Sequence, residues 1–254
     1  MNLNFKELGQ GPPLVVLHGL FGMLDNWQTL AKRFAQHHTV YLVDQRNHGR
    51  SPHASPMDYP TMAEDLHDFL VDKWIHHAHI LGHSMGGKTA MEFALQYPDM
   101  VDQLIVVDIA PKAYQGGHQV IFDALLALDL SQVKSRSDAS TFLESRIEEV
   151  GVRQFLLKNL SRAKEGGYRW KMNLPVIHEH YPSILATIEP DRTFEGETLF
   201  IRGGQSNYVQ ANDFPTISSF FPKAQVVTVE QAGHWVHAEA PEALLQHVST
   251  FLGW

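Results

Sequence analysis

The chain of 254 residues contains no cysteine, which excludes disulfides, thiolate metal sites and a cysteine nucleophile together and fits a reducing compartment. No apolar run is long enough to span a bilayer, and residues 1–11 lack the basic start and apolar stretch of a secretory leader. The chain therefore reads as soluble and cytoplasmic. Basic residues are scarce: 20 Lys and Arg stand against 28 Asp and Glu, a net charge of −8, which argues against a nucleic-acid partner. Internal repeats, low-complexity tracts and an interdomain linker are missing too. Histidine, by contrast, is plentiful at 16 residues. The cluster His76, His77 and His79 has no further histidine or carboxylate at ligand spacing, so it reads as a surface loop before a strand and no metal is expected.

What is present is a regular alternation of apolar runs and amphipathic stretches. Residues 14–17 (LVVL) form a continuous apolar run bounded by Pro12-Pro13 and His18-Gly19, the pattern of a strand buried on both faces. Runs at 40–44, 78–81 and 104–108 repeat it. Between them, 25–37 carries Trp27, Leu30, Ala31 and Phe34 at helical spacing, and 59–73 carries Met62, Leu66, Phe69 and Leu70. Asp44 and Arg46, in the polar loop 44–52, read as side chains that fix that loop by hydrogen bonds.

From 112 to 194 the strand signal disappears, and short helices are predicted at 120–128, 139–149, 152–160 and 174–181. Strands resume at 198–201 and 226–229, and a helix over 241–252 closes the chain. The expected architecture is α/β: a mostly parallel, doubly wound sheet flanked by helices, residues 1–111 and 195–254, with an inserted helical cap, 112–194. Charge sets the cap apart, because it holds 11 Lys and Arg against 10 Asp and Glu while the remainder holds 9 against 18.

Gly82-His83-Ser84-Met85-Gly86 follows a predicted strand and precedes a helical stretch, 87–97, rich in small and apolar residues. A serine between glycines at a strand-to-helix turn reads as a nucleophile elbow, in which the tight turn exposes the hydroxyl and the glycines keep side chains out of its way. A serine hydroxyl is a weak nucleophile near neutral pH, so it needs a histidine to take its proton and an acid to orient that histidine. His234, between the 226–229 strand and the last helix, stands where the order serine, acid, histidine puts the base. His237, three residues on, reads as a packing or locally bonded side chain. His83 reads as pointing away from the nucleophile by strand alternation.

These motifs, HGLFG at 18–22, DQRNHGRSP at 44–52, GHSMGGK at 82–88, VVDIAP at 106–111 and AGHWVHAEAPE at 232–242, resemble those of the α/β-hydrolase superfamily over nearly the whole chain. More narrowly, the chain is similar to the YbfF-type acyl esterases, relatives of mitochondrial abhydrolase-domain proteins. The superfamily's commonest acid position falls in the loop after the strand beyond the cap, but here that loop is Gly203-Gly204-Gln205-Ser206-Asn207. Ser206 carries no charge to stabilise an imidazolium, and the other known placement, one strand earlier, selects Asp108, with Asp213 as the fallback.

The resemblance further implies an oxyanion hole from the N–H groups of Met85 and Leu20, with Phe21 the near alternative to Leu20, and a loop-supporting role for His18. Phe21 and Trp235 are expected to touch substrate, and no cofactor is implied. Serine in place of the aspartate of related dehalogenases and epoxide hydrolases points to acyl transfer to water. Carboxylic esters and acyl-CoA thioesters are the expected small-molecule substrates, with a pocket between sheet and cap where Phe122, Phe142, Phe155, Trp170 and Tyr181 offer apolar surface, most of it read as cap core. Lys112, Arg153, Lys158 and Arg169 of the cap read first as a solvated helical face, and they also suit an anionic leaving portion. Carbon–carbon bond hydrolysis or a lyase step uses the same triad and stays open, as does a binding protein that keeps the pocket. Nothing in the residues fixes an oligomeric state.

Overall fold

The computed structural model describes residues 1–188 and 192–254; of the cap predicted at 112–194, residues 189–191 lie outside the described residues. The chain begins β1 (Phe5–Leu8), β2 (Pro13–Leu17), α1 (Gln28–Phe34), β3 (Thr39–Val43), α2 (Tyr59–Asp72), β4 (Ala78–His83), α3 (Met85–Gln96) and β5 (Val101–Val107). A long excursion follows with α4 (Gln119–Leu126), α5 (Arg136–Glu144), α6 (Val150–Leu157), β6 (Leu160–Arg162), β7 (Tyr168–Trp170), α7 (Leu174–Glu179) and α8 (Tyr181–Leu185). The chain then returns through β8 (Thr198–Gly203), α9 (Phe214–Phe220), β9 (Ala224–Val229), α10 (Val236–Glu239) and α11 (Pro241–Leu252).

Seven strands form one sheet in the order β1-β3-β2-β4-β5-β8-β9, parallel except for β1, which pairs antiparallel with β3 at the edge. Alternate side chains of each central strand feed opposite cores, which explains why their sequences are apolar without a break. Val15 and Leu17 of β2 join Leu66, Phe69 and Phe93 on the α2/α3 side. Leu14 and Val16 join Trp27, Leu30, Phe34 and Val248 on the α1/α11 side. Each such Leu or Val contributes about 1.5–3 kcal/mol by leaving water. The first predicted helix splits into a 3₁₀ turn, Leu24–Trp27, followed by α1, whereas α11 spans the predicted 241–252.

The expectation that no strand occurs between 112 and 194 is corrected by the hairpin β6/β7, paired Leu160 to Trp170 and Arg162 to Tyr168. Gly166 and Gly167, both at positive φ (98° and 75°), make its turn. The excursion connects β5 to its direct neighbour β8, and because the two are parallel it leaves at the carboxyl end of β5 and re-enters the sheet at the amino end of β8.

Register determines what meets at the carboxyl edge of the sheet. Leu17 pairs with Gly82, His83 with Val107, Val107 with Ile201, and Gly203 with Val229. The carboxyl ends of β2, β4, β5, β8 and β9 are thus brought level, and the loops after them face one another. β2 lies between β3 and β4, so the strand order reverses there, and a crevice opens beyond the carboxyl ends at that reversal.

Candidate active site

Ser84 occupies a conformation, φ 53° and ψ −121°, that L-residues avoid. It is held there because its N–H donates to the Val107 carbonyl (3.0 Å) while its own carbonyl accepts from the N–H groups of Gly87 (2.8 Å) and Lys88 (3.1 Å). The turn also requires glycine on either side. A Cβ on Gly82 would stand 2.1 Å from the Gly86 carbonyl oxygen, and one on Gly86 would stand 2.5 Å from the carbonyl oxygens of Leu17 and His18.

The Ser84 hydroxyl lies 2.9 Å from His234 Nε2, and His234 Nδ1 lies 2.7 Å from Asp108 Oδ2. Asp108, 1% exposed, also adopts positive φ (50°) and takes three donors. Its Oδ1 accepts from the Gly203 N–H (2.8 Å), and its Oδ2 accepts from the Ser206 hydroxyl as well as from His234. Ser206, in the loop where an acid was sought, donates to the acid that stands one strand earlier. Asp213 is turned elsewhere, with its oxygens 2.8 and 2.7 Å from Lys112 Nζ. The Tyr208 ring stacks on His234 at 3.7 Å, fixing the imidazole plane.

His18, His48, His83 and His237 are neutral supports. The Gln45 N–H donates to His18 Nε2 (3.0 Å), so the His18 proton sits on Nδ1 and is donated to the Gly19 carbonyl (2.8 Å). The Phe21 N–H donates to His48 Nε2 (3.2 Å), and His48 Nδ1 donates to the Arg46 carbonyl (3.0 Å). Burial pulls His18 down to about 4 and His48 to about 3, since a charge on either would be desolvated. His237 stacks on Trp27 (4.7 Å), and burial pulls it down to about 3. His83 corrects the expectation from strand alternation. Its ring borders a cavity beside Ser84, and its Nε2 donates to the His234 carbonyl (2.8 Å), bracing the loop that carries His234.

Phe21, at φ 59°, gives its amide to His48, which removes it from any anion-binding role. Among the described residues the Leu20 and Met85 N–H groups have no hydrogen-bond partner. Met85 opens α3, which lacks a side-chain N-cap, so the free N–H groups and positive dipole end of this helix face the Ser84 hydroxyl's surroundings. Asp44 fixes the next loop through Leu24 N–H (2.7 Å) and Arg50 N–H (2.9 Å), and Arg46 pairs with Asp65 through Nε (2.5 Å) and Nη2 (2.8 Å).

Two cavities meet at Ser84, and both are bordered by Leu20 and His118. The smaller, about 70 Å³, is walled by Phe21, Phe155, Trp235 and His234. The larger, about 230 Å³, is walled by Met85, Lys88, Tyr59, Tyr114 and Tyr181. Phe21 and Trp235, expected to touch substrate, border the smaller cavity. Of the cap aromatic residues, Phe155 and Tyr181 line a cavity, Phe122 is wholly buried against Phe21, and Trp170 opens onto a separate surface basin. Phe142 instead packs under the Arg146 guanidinium.

The excursion also supplies Asn159, whose Nδ2 donates to the Phe21 carbonyl (2.7 Å), and His118, whose Nδ1 pairs with the Tyr181 hydroxyl (2.7 Å). Neither residue, nor Lys88, was singled out from sequence, since an isolated Asn, His or Lys in a helical stretch carries no spacing signal. His77 pairs with Asp102 (2.8 Å), and among the described residues no three His, Asp or Glu side chains converge as metal ligands. No described helix is long and apolar enough to cross a membrane.

A family model for the alpha/beta hydrolase fold matches residues 12–241. The sn-1-specific diacylglycerol lipase ABHD11 of Danio rerio is 40% identical over 256 residues, covering 98% of this chain and 80% of that protein. Esterase YbfF of Escherichia coli (strain K12) is 39% identical over 241 residues, covering 94% of this chain and 92% of that protein. A solved marine microorganism esterase is 43% identical, with a TM-score of 0.97 and coverage of 98% of this chain and 99% of that one. The chain belongs to the α/β-hydrolase fold family, among its esterases and lipases.

Proposed function

We propose that the protein hydrolyses carboxylic esters through an acyl-serine intermediate, with Ser84 as nucleophile, His234 as base and Asp108 as the orienting acid. The observation that carries this is the unbroken chain of contacts from Ser84 Oγ to His234 Nε2 (2.9 Å) and from His234 Nδ1 to Asp108 Oδ2 (2.7 Å). Asp108 holds the Nδ1–H tautomer, leaving a lone pair on Nε2 to accept the serine proton. The Ser84 oxygen attacks the ester carbonyl carbon as its proton passes to His234. The Leu20 and Met85 N–H groups hydrogen-bond the oxyanion that forms. Collapse breaks the ester bond, and the leaving oxygen takes the proton from His234. Water, activated by the same histidine, then releases the acid and restores Ser84.

Because His234 must reach the leaving oxygen, the cavity walled by His234, Trp235 and Phe155 receives the leaving portion, and the larger cavity receives the acyl chain. The segment 112–194 acts as the cap that roofs both. Acyl-CoA thioesters are the finer substrate class of this proposal. Of the cap's basic residues, Lys112 is engaged by Asp213, and Arg153 by the Ile147 and Glu148 carbonyls (2.7 and 2.8 Å). The thioester reading therefore rests on the exposed Lys158 and Arg169.

The test is a p-nitrophenyl ester series from acetyl to palmitoyl, run with wild type and Ser84→Ala, together with fluorophosphonate labelling. Turnover and labelling that disappear in a folded Ser84→Ala protein support the proposal, and a wild type inactive across the series and unlabelled sinks it. A kcat/KM advantage of acyl-CoA over the matching simple thioester supports the finer class, and no advantage refutes it.

A further inference from the structure

Lys88 stands four residues after Ser84 on α3 and is 1% exposed, yet it borders the larger cavity together with Ser84. An ammonium carries three N–H donors. The Lys88 ammonium gives one to the Ala186 carbonyl oxygen, and beyond that it faces the Tyr114 ring at 4.8 Å and the Tyr59 ring at 5.4 Å. Of the four tyrosines around the cavity, three have their hydroxyls engaged, Tyr59 with the Ile184 carbonyl (2.6 Å), Tyr114 with the Tyr208 carbonyl (2.8 Å) and Tyr181 with His118 (2.7 Å), and the fourth, Tyr208, lays its ring on His234. Among the described residues Lys88 has no carboxylate partner, because Asp213 is held by the neighbouring Lys112.

A buried ammonium without a counter-ion is costly, and an aliphatic side chain would serve the helix equally well. Burial, with the added repulsion of Lys112, pulls the Lys88 ammonium down to about 7. The charge is therefore poorly satisfied until something anionic enters the cavity.

We propose that Lys88 is a specificity-determining residue that receives a carboxylate at the far end of the acyl chain, so that this pocket takes half-esters of short dicarboxylic acids. The inference rests on the ester-cleaving reading of Ser84 and on the larger cavity being the acyl side. One helical turn separates the two residues, about 6 Å along the axis, so a chain of succinyl or glutaryl length bridges from the acyl carbon to the ammonium. A carboxylate there gains charge-assisted hydrogen bonds in a site shielded from water. A neutral chain of equal length leaves the ammonium unpaired, the situation in which sites discriminate most sharply.

The experiment compares kcat/KM for the p-nitrophenyl half-ester of glutarate with p-nitrophenyl pentanoate, in wild type and in Lys88→Met, and compares free glutarate with pentanoate as inhibitors of wild type. The half-ester is expected to be preferred by at least about tenfold, glutarate to inhibit more strongly than pentanoate, and the preference to fall at least about tenfold in Lys88→Met. A lysine that only braces the fold would lower both rates together and leave their ratio unmoved, which would overturn the proposal. Should Lys88→Met not fold, the wild-type ratio and the inhibitor pair decide, and absence of any anionic preference overturns it. Turnover of neutral esters alone removes only the role of Lys88, whereas no turnover of either ester and no labelling of Ser84 removes the ester reading as well.

Discussion

Asp108→Asn separates the proposed orienting acid from every other contributor to the site, because asparagine has the same shape but cannot satisfy the same three donors. The carboxylate accepts from Gly203 N–H, the Ser206 hydroxyl and His234 Nδ1. With the amide oxygen kept on Gly203, the NH₂ group faces His234, which must then offer a lone pair at Nδ1 and carry its proton on Nε2. That proton points at Ser84 Oγ, 2.9 Å away, so the base can no longer accept. The flipped amide sets NH₂ against the Gly203 N–H, and a buried donor left without an acceptor costs about 1–3 kcal/mol. The expected loss is about 10⁴ in kcat, or about 5.4 kcal/mol of transition-state stabilisation. KM should change little, since Asp108 borders neither cavity. Steady-state hydrolysis of p-nitrophenyl butyrate, with circular dichroism to verify folding, measures both quantities. Asp213→Asn serves as the control and should stay within about tenfold of wild type, because its carboxylate is engaged by Lys112. An Asp108→Asn enzyme that retains a tenth of wild-type activity, or an Asp213→Asn enzyme that fails equally, would refute the reasoning.

Two further outcomes follow from the packing. His18, His48 and His237 are neutral in the folded chain down to about 4, 3 and 3, whereas the unfolded chain protonates them below about 6.5. Their contribution is intact above pH 6.5, and each loses about 1.4 kcal/mol per pH unit below it until its folded value is reached. Thermal melts from pH 7 to pH 4.5 should therefore fall steeply, and a flat Tm over that range would contradict the neutral assignment. Gly86→Ala drives a Cβ to 2.5 Å from the Leu17 and His18 carbonyl oxygens, which are backbone atoms with little room to retreat. A loss of about 1–3 kcal/mol is expected from overpacking alone. It should come with a lower kcat, because the displaced loop carries Leu20. Denaturant unfolding together with kinetics on the same preparation tests both parts, and an unchanged midpoint would show that the turn is looser than described.

The central strands were legible because burial on both faces leaves an unmixed apolar run, as in residues 14–17. The meeting of Ser84 with His234, the proposed nucleophile and base, was legible because the elbow and the loop before α11 have local sequence marks. Asp108 required the family's alternative placement, since one aspartate at a strand end looks like many others. Other features left too little trace. β1 is a four-residue edge strand, and β6 and β7 have three residues each, too short for alternation to register. Lys88, Asn159 and His118 owe their positions to contacts between distant segments, Asn159 meeting Phe21 across 138 residues. Of the cap's aromatic residues, the choice between cavity wall and interior depends on how short helices roll against one another, which composition does not encode.

Phe21, Ser84 and Asp108 share one more property: each is a non-glycine residue at positive φ, and they follow the neighbouring strands β2, β4 and β5. A residue held in such a conformation costs about 1–3 kcal/mol, so the three together approach the lower range of a whole domain's net stability, about 5–15 kcal/mol. Glycine at all three positions would relax the backbone and remove the hydroxyl, the carboxylate and a wall of the smaller cavity. Stability and activity are therefore opposed at the ends of three adjacent strands, and a search for sturdier variants that ranks substitutions by melting temperature alone would be drawn first to the residues that define the site.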